Sequence, residues 1–375
     1  MTEDALPEAD RVAGAPHPRE TLQLFGQETA ERGFLEAFNS ARLHHAWLLT
    51  GPRGVGKATL AWRIARFLLA TPTQSGGGLF GDAPPAYESL GVSPEHPVAR
   101  RIAARSEPGL YAIARGVNEK TGKLREMIVV DDIRGLTHFL TMSAAEGGRR
   151  VVIVDAADEM NTNAANALLK MLEEPPALTT MLLVSHQPSR LLATIRSRCR
   201  ELRLAPLETG AMAAALQQAG AEGETSAALA ALSSGSVGEA MRLTRLGGLA
   251  MYQEIVGLFA GLPRVDRPRA LKLGEAAAAR GAEAQFELML TMFDTFLARL
   301  ARTGATGAAP EPEAAQGEAE LLLRLSSTPQ MARRWADLAQ EISGRTRHGR
   351  AVNLDPAALV LDTVFKITET ASPRQ

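Results

Sequence analysis

The stretch Gly51-Pro52-Arg53-Gly54-Val55-Gly56-Lys57 constrains this chain more than any other feature. It follows a short apolar run from Trp47 to Thr50, which predicts a buried strand, and it precedes apolar residues at helical spacing. A strand, a glycine loop and a helix in this order form a phosphate-binding loop. Its backbone N–H groups surround nucleotide phosphates and its lysine reaches the β- and γ-phosphates. The candidate nucleotide-binding residues of the loop are Gly51, Gly54, Gly56 and Lys57.

The position after Lys57 departs from this motif. A working loop carries Ser or Thr there, and the hydroxyl binds Mg²⁺, but this chain has Ala58. Thr59 comes one residue later. Because one residue on a helix turns the side chain by about 100°, we expect Thr59 to point away from the metal. The sequence therefore predicts a nucleotide-binding fold whose own chemistry is impaired.

A further candidate nucleotide ligand ends the apolar run from Val151 to Val154. Asp155 stands where a carboxylate at the end of a neighbouring strand holds hydrated Mg²⁺, and an active hydrolase usually has a second carboxylate beside it. In this chain the neighbour is Ala156. Asp158 and Glu159 are close in sequence, but we expect them to project from the following turn. The alternative role for Asp155 is a helix N-cap or a solvated strand end.

Apolar strands alternate with helical segments as far as Pro206, which predicts an α/β domain with a parallel sheet. Beyond Pro206, alanine and leucine recur at helical spacing and predict helices alone. The sequence thus divides into a flexible tail over residues 1–20, an α/β domain over 21–206, a small helical domain over 207–247 and a larger helical domain over 248–375.

Composition excludes several classes of protein. A single cysteine, Cys199, excludes an intrachain disulfide and any multi-cysteine zinc site. The formal net charge of -1 argues against a strongly basic nucleic-acid-binding chain. The acidic amino terminus lacks the pattern of a signal peptide, and every apolar run is too short to span a membrane. We therefore expect a cytoplasmic protein with no membrane partner.

The tripeptide Ser197-Arg198-Cys199 follows a strand predicted from Met181 to Ser185. An arginine on such a projecting turn can act in trans as an arginine finger, which stabilises transition-state charge on a neighbour's nucleotide. Taken alone, the tripeptide is weak evidence and is better explained as a solvated basic turn, because surface arginine is common and Arg196, Arg200 and Arg203 flank it. Cys199 fits a small packing residue better than a nucleophile.

The order of these motifs resembles the clamp-loader branch of the AAA+ proteins. The run Asn166-Ala167-Leu168-Leu169-Lys170-Met171-Leu172-Glu173-Glu174-Pro175-Pro176, followed about twenty residues later by Ser197-Arg198-Cys199, is specific for that branch. The resemblance covers roughly residues 22–245. It implies an AAA+ P-loop domain over 21–206, a helical lid over 207–247 and a helical collar domain over 248–375.

The same resemblance implies that this chain does not hydrolyse ATP. Active γ/τ subunits of the branch carry a hydroxyl after the lysine, an Asp-Glu pair after the third strand and a sensor arginine in the lid. These positions read Ala58, Ala156 and Gly238 here. The implied protein needs no cofactor, binds ATP weakly through the loop residues and Asp155, and offers Arg198 to the ATP site of a neighbouring γ/τ subunit.

The implied partners are the γ/τ and δ clamp-loader subunits and, through the complex, the sliding clamp and primer-template DNA during DNA replication. Some relatives carry a four-cysteine zinc module after the phosphate-loop helix. The matching stretch, about 71–98, contains no cysteine, and a lone His96 cannot hold zinc, so no metal is expected.

Two other functions stay open at this point. The chain could be an active AAA+ ATPase motor subunit, resembling γ/τ, in which Thr59 and Asp158 compensate for the missing groups. It could also be a nucleotide-independent DNA-binding module that uses Arg100, Arg101 and Arg105, although its near-neutral charge argues against that as the main role.

Overall fold

The computed structural model describes residues 8–72, 86–118, 120–141, 148–221 and 226–372. The chain divides into two units, of which the first holds the residues up to Gly220 together with Ser236–Gly238, and the second holds the rest. The elements of the first unit are α1 (Glu28–Asn39), β1 (Ala46–Thr50), α2 (Lys57–Ala70), α3 (Pro97–Ala103), β2 (Leu110–Ile113), α4 (Val130–Thr141), β3 (Arg150–Asp155), α5 (Thr162–Glu173), β4 (Thr179–Ser185), α6 (Ala193–Arg196), β5 (Arg200–Arg203) and α7 (Thr209–Gln218).

The strands among these residues form one sheet, in the order β2-β3-β4-β1-β5, and every pair is parallel. All residues of β1 and β4 are buried, because helices cover both faces of a parallel sheet. This burial explains why the central strands are continuous apolar runs, whereas the edge strands β2 and β5 expose some residues. The predicted α/β domain with a parallel sheet is confirmed.

Side chains alternate along β1, so that neighbouring residues pack into separate cores on the two faces of the sheet. Leu48 belongs to a cluster on the face covered by α4 and α5, where buried residues of both helices meet the strands. Trp47 points to the opposite face, where its ring lies 5.1 Å from that of Phe34 on α1. The sheet is therefore the middle layer between two sets of helices.

Local sequence sets where the two helices nearest the candidate site begin. Helix α2 begins directly after Gly56, whose φ of 99° is left-handed and therefore favours glycine. Helix α5 begins after Asn161, whose side chain accepts a hydrogen bond from the backbone N–H of Ala164 at 2.9 Å. Pro175 follows the end of α5 and cannot continue it.

The sequence predicts a flexible tail over residues 1–20, but the part that is described, 8–20, is packed. We call residues 8–20 the N-terminal strap. His17 is 1% exposed, and its Nε2 lies 3.0 Å from a carboxylate oxygen of Asp10. Glu8 accepts ion pairs from Arg19 and Arg105. Ion pairs between residues that are distant in the chain produce no hydrophobic periodicity in a short polar stretch. The order of the strap could therefore not be predicted from the sequence. Residues 1–7 lie outside the described residues.

The second unit is helical throughout its described residues, as predicted. Its elements are α8 (Ala227–Ser233), α9 (Val237–Leu246, which begins in the first unit), α10 (Gly248–Phe259), α11 (Arg267–Ala277), α12 (Glu283–Thr306), α13 (Glu318–Leu325), α14 (Pro329–Ala351) and α15 (Pro356–Ala371). The division of the helical part into 207–247 and 248–375 stays a prediction. No described helix is long and apolar enough to cross a membrane.

A buried carboxylate organises the second unit. Glu318 is 1% exposed and accepts hydrogen bonds from the Tyr252 hydroxyl at 2.6 Å, from the Arg299 guanidinium at 2.5 and 2.9 Å, and from the Ala314 backbone N–H at 2.7 Å. Burial and the charge of Glu318 both raise the pKa of Tyr252. The carboxylate thus links α10, α12 and the start of α13, and a buried charge of this kind is stable only while its partners remain.

Removing the Glu318 carboxylate should therefore destabilise the folded chain strongly. We expect Glu318→Ala to lower the free energy of unfolding by about 3–5 kcal/mol, because it leaves Arg299 as an unpaired, largely buried charge. Tyr252→Phe should cost less, about 1.5–3 kcal/mol, the value of one hydrogen bond to a charged group. Urea unfolding of the full chain measures both. Glu320→Ala, at an exposed position of the same helix, is the control, and an equal loss for Glu320→Ala and Glu318→Ala would contradict this role.

Candidate functional site

The glycine loop has the backbone shape of a phosphate-binding loop. Gly51, Gly54 and Gly56 all have positive φ, at 140°, 75° and 99°. A side chain at Gly51 would meet the carbonyl oxygen of Leu204 at 2.4 Å, so only glycine fits the close approach of the loop to the residue after β5. The loop lies between β1 and the first turn of α2, where backbone N–H groups and the helix dipole favour an anion.

Lys57 is turned inward onto its own loop. Its Nζ donates to the carbonyl oxygens of Gly51, at 2.8 Å, and of Pro52, and the residue is 3% exposed. Burial lowers the pKa of Lys57 to about 8, although the charges of Asp155 and Asp158 act in the opposite direction. Lys57 is therefore cationic at neutral pH and held by carbonyl groups, the contacts that a bound phosphate would have to replace.

Asp155 lies at the carboxyl end of β3, opposite Val184 of β4. Burial and the nearby carboxylate of Asp10 in the N-terminal strap together raise the pKa of Asp155 to about 7, although the charge of Lys57 acts in the opposite direction. Ala156 follows at 2% exposure and brings no polar group to the site. Asp155 is therefore about half protonated at neutral pH, and Mg²⁺ would have to displace that proton to bind the carboxylate.

The two acidic residues of the next turn have other partners. The carboxylate of Asp158 accepts hydrogen bonds from the backbone N–H groups of His186, at 2.9 Å, and Gln187, at 3.1 Å. Although burial alone would raise the pKa of Asp158, the backbone hydrogen bond from His186 holds it below its usual value. Asp158 therefore fixes the turn after β4 rather than facing the metal position.

Glu159 forms ion pairs on both sides. One carboxylate oxygen lies 2.5 Å from Nη2 of Arg53 in the glycine loop, and the other lies 2.7 Å from Nε of Arg115. Two cations hold this carboxylate, so it is not available as a base for an attacking water. The loop is thereby tied to the turn that follows β3.

The sequence analysis missed His186, which directly follows β4 beside the end of β3. Burial, together with the positive charges of Lys57 and Arg53, lowers the pKa of His186 to about 4. Its imidazole is therefore neutral at physiological pH. The signal for it was available: a polar residue at the carboxyl end of an apolar strand, next to the strand that carries Asp155.

The segment Ser236–Gly238 approaches the glycine loop. The backbone N–H of Val237 donates to the carbonyl oxygen of Gly54 at 3.0 Å. A side chain at Gly238 would lie 3.2 Å from Cα of Gly54 and 3.4 Å from Val12 in the N-terminal strap. An arginine in place of Gly238 would therefore require the strap or the loop to move.

These residues fit a nucleotide and its metal unequally. The glycine loop and Lys57 supply the N–H groups and the cation that phosphate oxygens require. For Mg²⁺ the donor set is poor, because Ala58 brings no oxygen and Asp155 is only half ionised near pH 7. No cluster of three or more His, Cys, Asp or Glu side chains suited to a metal occurs in the described part of the chain.

Arg198 and Lys57 lie at opposite ends of the strands. Arg198 comes two residues before the amino end of β5, whereas the glycine loop follows the carboxyl end of β1, and the two strands are parallel neighbours. Its guanidinium donates to the carbonyl oxygen of Thr194 at 3.0 Å and lies 2.9 Å from a carboxylate oxygen of Glu173. The structure therefore does not bring Arg198 together with the glycine loop and Asp155 of its own chain.

Cys199 packs against the core cluster beneath α5 and α6. Burial raises the pKa of its thiol to about 12. The thiolate, which is the nucleophilic form, is therefore scarce at neutral pH, and the residue fills space.

Comparison with known proteins finds similarity to one family over the first unit. The family model described as "DNA polymerase III, delta subunit" matches residues 26–208, just under half of the chain. Across that region the chain is similar to this family. It is 43% identical to the DNA polymerase III subunit delta′ of Pseudomonas aeruginosa over 155 residues, which is 41% of each chain. It is 35% identical to that of Escherichia coli over 170 residues, which is 45% of each chain.

The delta′ relatives are thus matched over less than half of their length. A gamma/tau subunit from Mycobacterium tuberculosis is also similar, with 30% identity over 196 residues, which is 51% of this chain and 30% of that one. Among solved structures, a gamma-subunit-related protein from Thermotoga maritima is 16% identical with a TM-score of 0.38, covering 90% of this chain and all of that one. The resemblance to DNA polymerase III subunits that the sequence predicts is confirmed.

The raised pKa of Asp155 makes a pH-dependent prediction. The folded pKa of about 7 lies above the reference value of 3.8, so its stabilising contribution is full below 3.8 and is lost as pH rises through 7. Asp155→Asn mimics the protonated form. Its melting temperature should therefore exceed that of wild type by more at pH 8 than at pH 5. Asp131→Asn, at an exposed position, is the control. An equal difference at both pH values would show that Asp155 titrates normally.

Proposed function

We propose that this chain is a non-hydrolysing delta′ subunit of a bacterial clamp loader, which helps to load the sliding clamp onto primed DNA during replication. In this proposal it acts in the cytoplasm as a rigid part of a complex with γ/τ and δ subunits and needs no cofactor of its own. The clamp and the primer-template DNA are partners of the complex. The names of the relatives matched over residues 26–208 support this assignment.

One observation carries the non-hydrolysing part of the proposal. In the described turn after β3, the positions that could supply a carboxylate to the attacking water are either replaced or already used. Ala156 replaces the adjacent carboxylate, Asp158 binds backbone N–H groups, and Glu159 is paired with two arginines. ATP would bind weakly at most, since it must displace the contacts of Lys57 with the loop carbonyls.

The two alternative functions have less support. An active motor would need Asp158 to orient water, but that carboxylate holds the turn after β4. A DNA-binding module would need free cations on α3 and the residues after it. Arg100, Arg101 and Arg105 instead form ion pairs with Glu95, Glu107 and Glu8. Phosphate binding there would cost three existing pairs, so neither alternative is preferred.

The position of Arg198 supports its role in trans. Arg198 lies beside the amino end of β5, whereas Lys57 lies beyond the carboxyl end of the parallel neighbour β1. Its own glycine loop is therefore out of reach, and a neighbouring subunit is the natural source of a phosphate. A planar guanidinium with several N–H groups can hold the charge that develops on a transferring phosphoryl group. We propose that Arg198 faces the ATP site of an adjoining γ/τ subunit.

The first test uses the isolated chain. We expect it to hydrolyse ATP no faster than a Lys57→Ala control, because the metal hydroxyl and the catalytic carboxylate are both absent. Ala58→Thr should raise the affinity for Mg²⁺-nucleotide without raising turnover, since Ala156 remains. Steady-state phosphate release and nucleotide titration measure the two effects. A Mg²⁺-dependent turnover clearly above the control would refute the non-hydrolysing assignment.

The second test uses the assembled complex. Arg198→Ala should leave assembly intact and lower the ATPase rate that clamp and DNA stimulate. An arginine finger is worth about 10³–10⁵ in rate where it acts alone on a site, and the loss should be smaller here because the other ATP sites of the complex keep their own arginines. Arg198→Lys should rescue little, because lysine lacks the planar fork.

Arg196→Ala is the matched control for this test. Arg196 is exposed and lies on the same turn, whereas Arg200 stacks 5.2 Å from the Trp47 ring centroid and so has a structural role. If Arg198→Ala and Arg196→Ala give the same rate, Arg198 is an ordinary surface arginine and the trans-acting mechanism fails.

A further inference from the structure

Arg198 does not project freely from its turn. Its Nη1 donates to the carbonyl oxygen of Thr194 at 3.0 Å, and its Nη2 lies 2.9 Å from Oε1 of Glu173. Its side chain is 36% exposed, so part of the guanidinium still faces solvent. An arginine side chain has several rotatable bonds, and these two contacts select one arrangement out of many.

The same contacts leave Arg198 able to bind a phosphate. A guanidinium carries more N–H groups than one carbonyl and one carboxylate oxygen use. The groups that remain can meet a partner's phosphate while Glu173 and Thr194 keep their bonds. The pair therefore holds the arginine in place without consuming its binding capacity.

The location of Glu173 gives a second, independent reason to link it with Arg198. Glu173 is the last residue of α5, and the C-terminal end of a helix is the negative end of its dipole. A carboxylate is disfavoured there, and Glu174 adds another negative charge beside it. Arg198 brings a cation to this end, which compensates for a placement that local helix preferences alone would not choose.

We infer that Glu173 is a positioning residue for Arg198, which orients the guanidinium toward the ATP of the neighbouring subunit. This inference rests on the proposed function. Without Glu173 the arginine side chain samples several rotamers, and only a fraction of complexes present it to the phosphate at the right place. The expected consequence is a lower kcat at the neighbouring site with an unchanged KM for ATP, because Glu173 itself does not touch the nucleotide.

A double-mutant cycle in the assembled complex with γ/τ, δ, clamp and primed DNA tests this inference. Glu173→Ala should lower the stimulated kcat by about 2–10-fold, the lower part of the range for residue pairs in contact. Glu173→Gln keeps an acceptor oxygen and should lose less. The variant that combines Glu173→Ala with Arg198→Ala should be no slower than Arg198→Ala alone, because Glu173 acts only through Arg198.

Glu174→Ala is the matched control, since it removes the adjacent charge at the same helix end and should leave kcat unchanged. Melting temperatures of all variants check that the fold is retained. If Arg198→Ala lowers the rate but Glu173→Ala matches wild type, or if the two losses multiply, the positioning role is wrong while the proposed function stands. If Arg198→Ala itself matches wild type, both are overturned.

Discussion

The parallel pairing of β1 with its neighbours β4 and β5 is the constraint on which the rest of the first unit depends. Because all the strands run the same way, their carboxyl ends lie together on one side of the sheet and their amino ends on the other. We call these the carboxyl-end side and the amino-end side. The glycine loop, Asp155 and His186 lie on the carboxyl-end side, and the turn that carries Arg198 lies on the amino-end side. The glycine loop and Arg198 are thus separated by the length of the strands, and different residues hold each of them in place.

Most charged side chains at the carboxyl ends of the strands have partners within the chain. Lys57 binds loop carbonyls, Arg53 binds Glu159, and Asp158 binds the backbone after β4. Asp155 is the exception, since burial raises its pKa to about 7 and the strap carboxylate of Asp10 adds to the effect. A triphosphate with its metal would have to replace several of these contacts and ionise Asp155, which is the physical basis of the weak nucleotide binding that we propose.

Most of the architecture could be predicted from the sequence because the central strands are buried on both faces. Burial on both faces turns β1, β3 and β4 into unbroken apolar runs, and the glycine loop marks the junction of β1 with α2. The N-terminal strap could not be predicted, since its order depends on ion pairs such as Glu8 with Arg105, which are far apart in the chain. The partners of Glu159 and of Arg198 were hidden for the same reason: sequence spacing does not indicate which charges meet across elements.

The contrast between Ala58 and Arg198 follows from this geometry. Ala58 and Ala156 lie beyond the carboxyl ends of β1 and β3, and the hydrogen bonds and ion pair that the structure describes for the turn before β5 involve neither residue. The backbone of that turn is fixed instead by β5, by Thr194 and by the end of α5 through Glu173. The sheet therefore separates Ala58 and Ala156, which lie beyond the carboxyl ends of β1 and β3, from Arg198, which lies before the amino end of β5. Under the proposed function, the missing metal and catalytic groups at the carboxyl ends would leave Arg198 in place, because separate elements of the fold hold it.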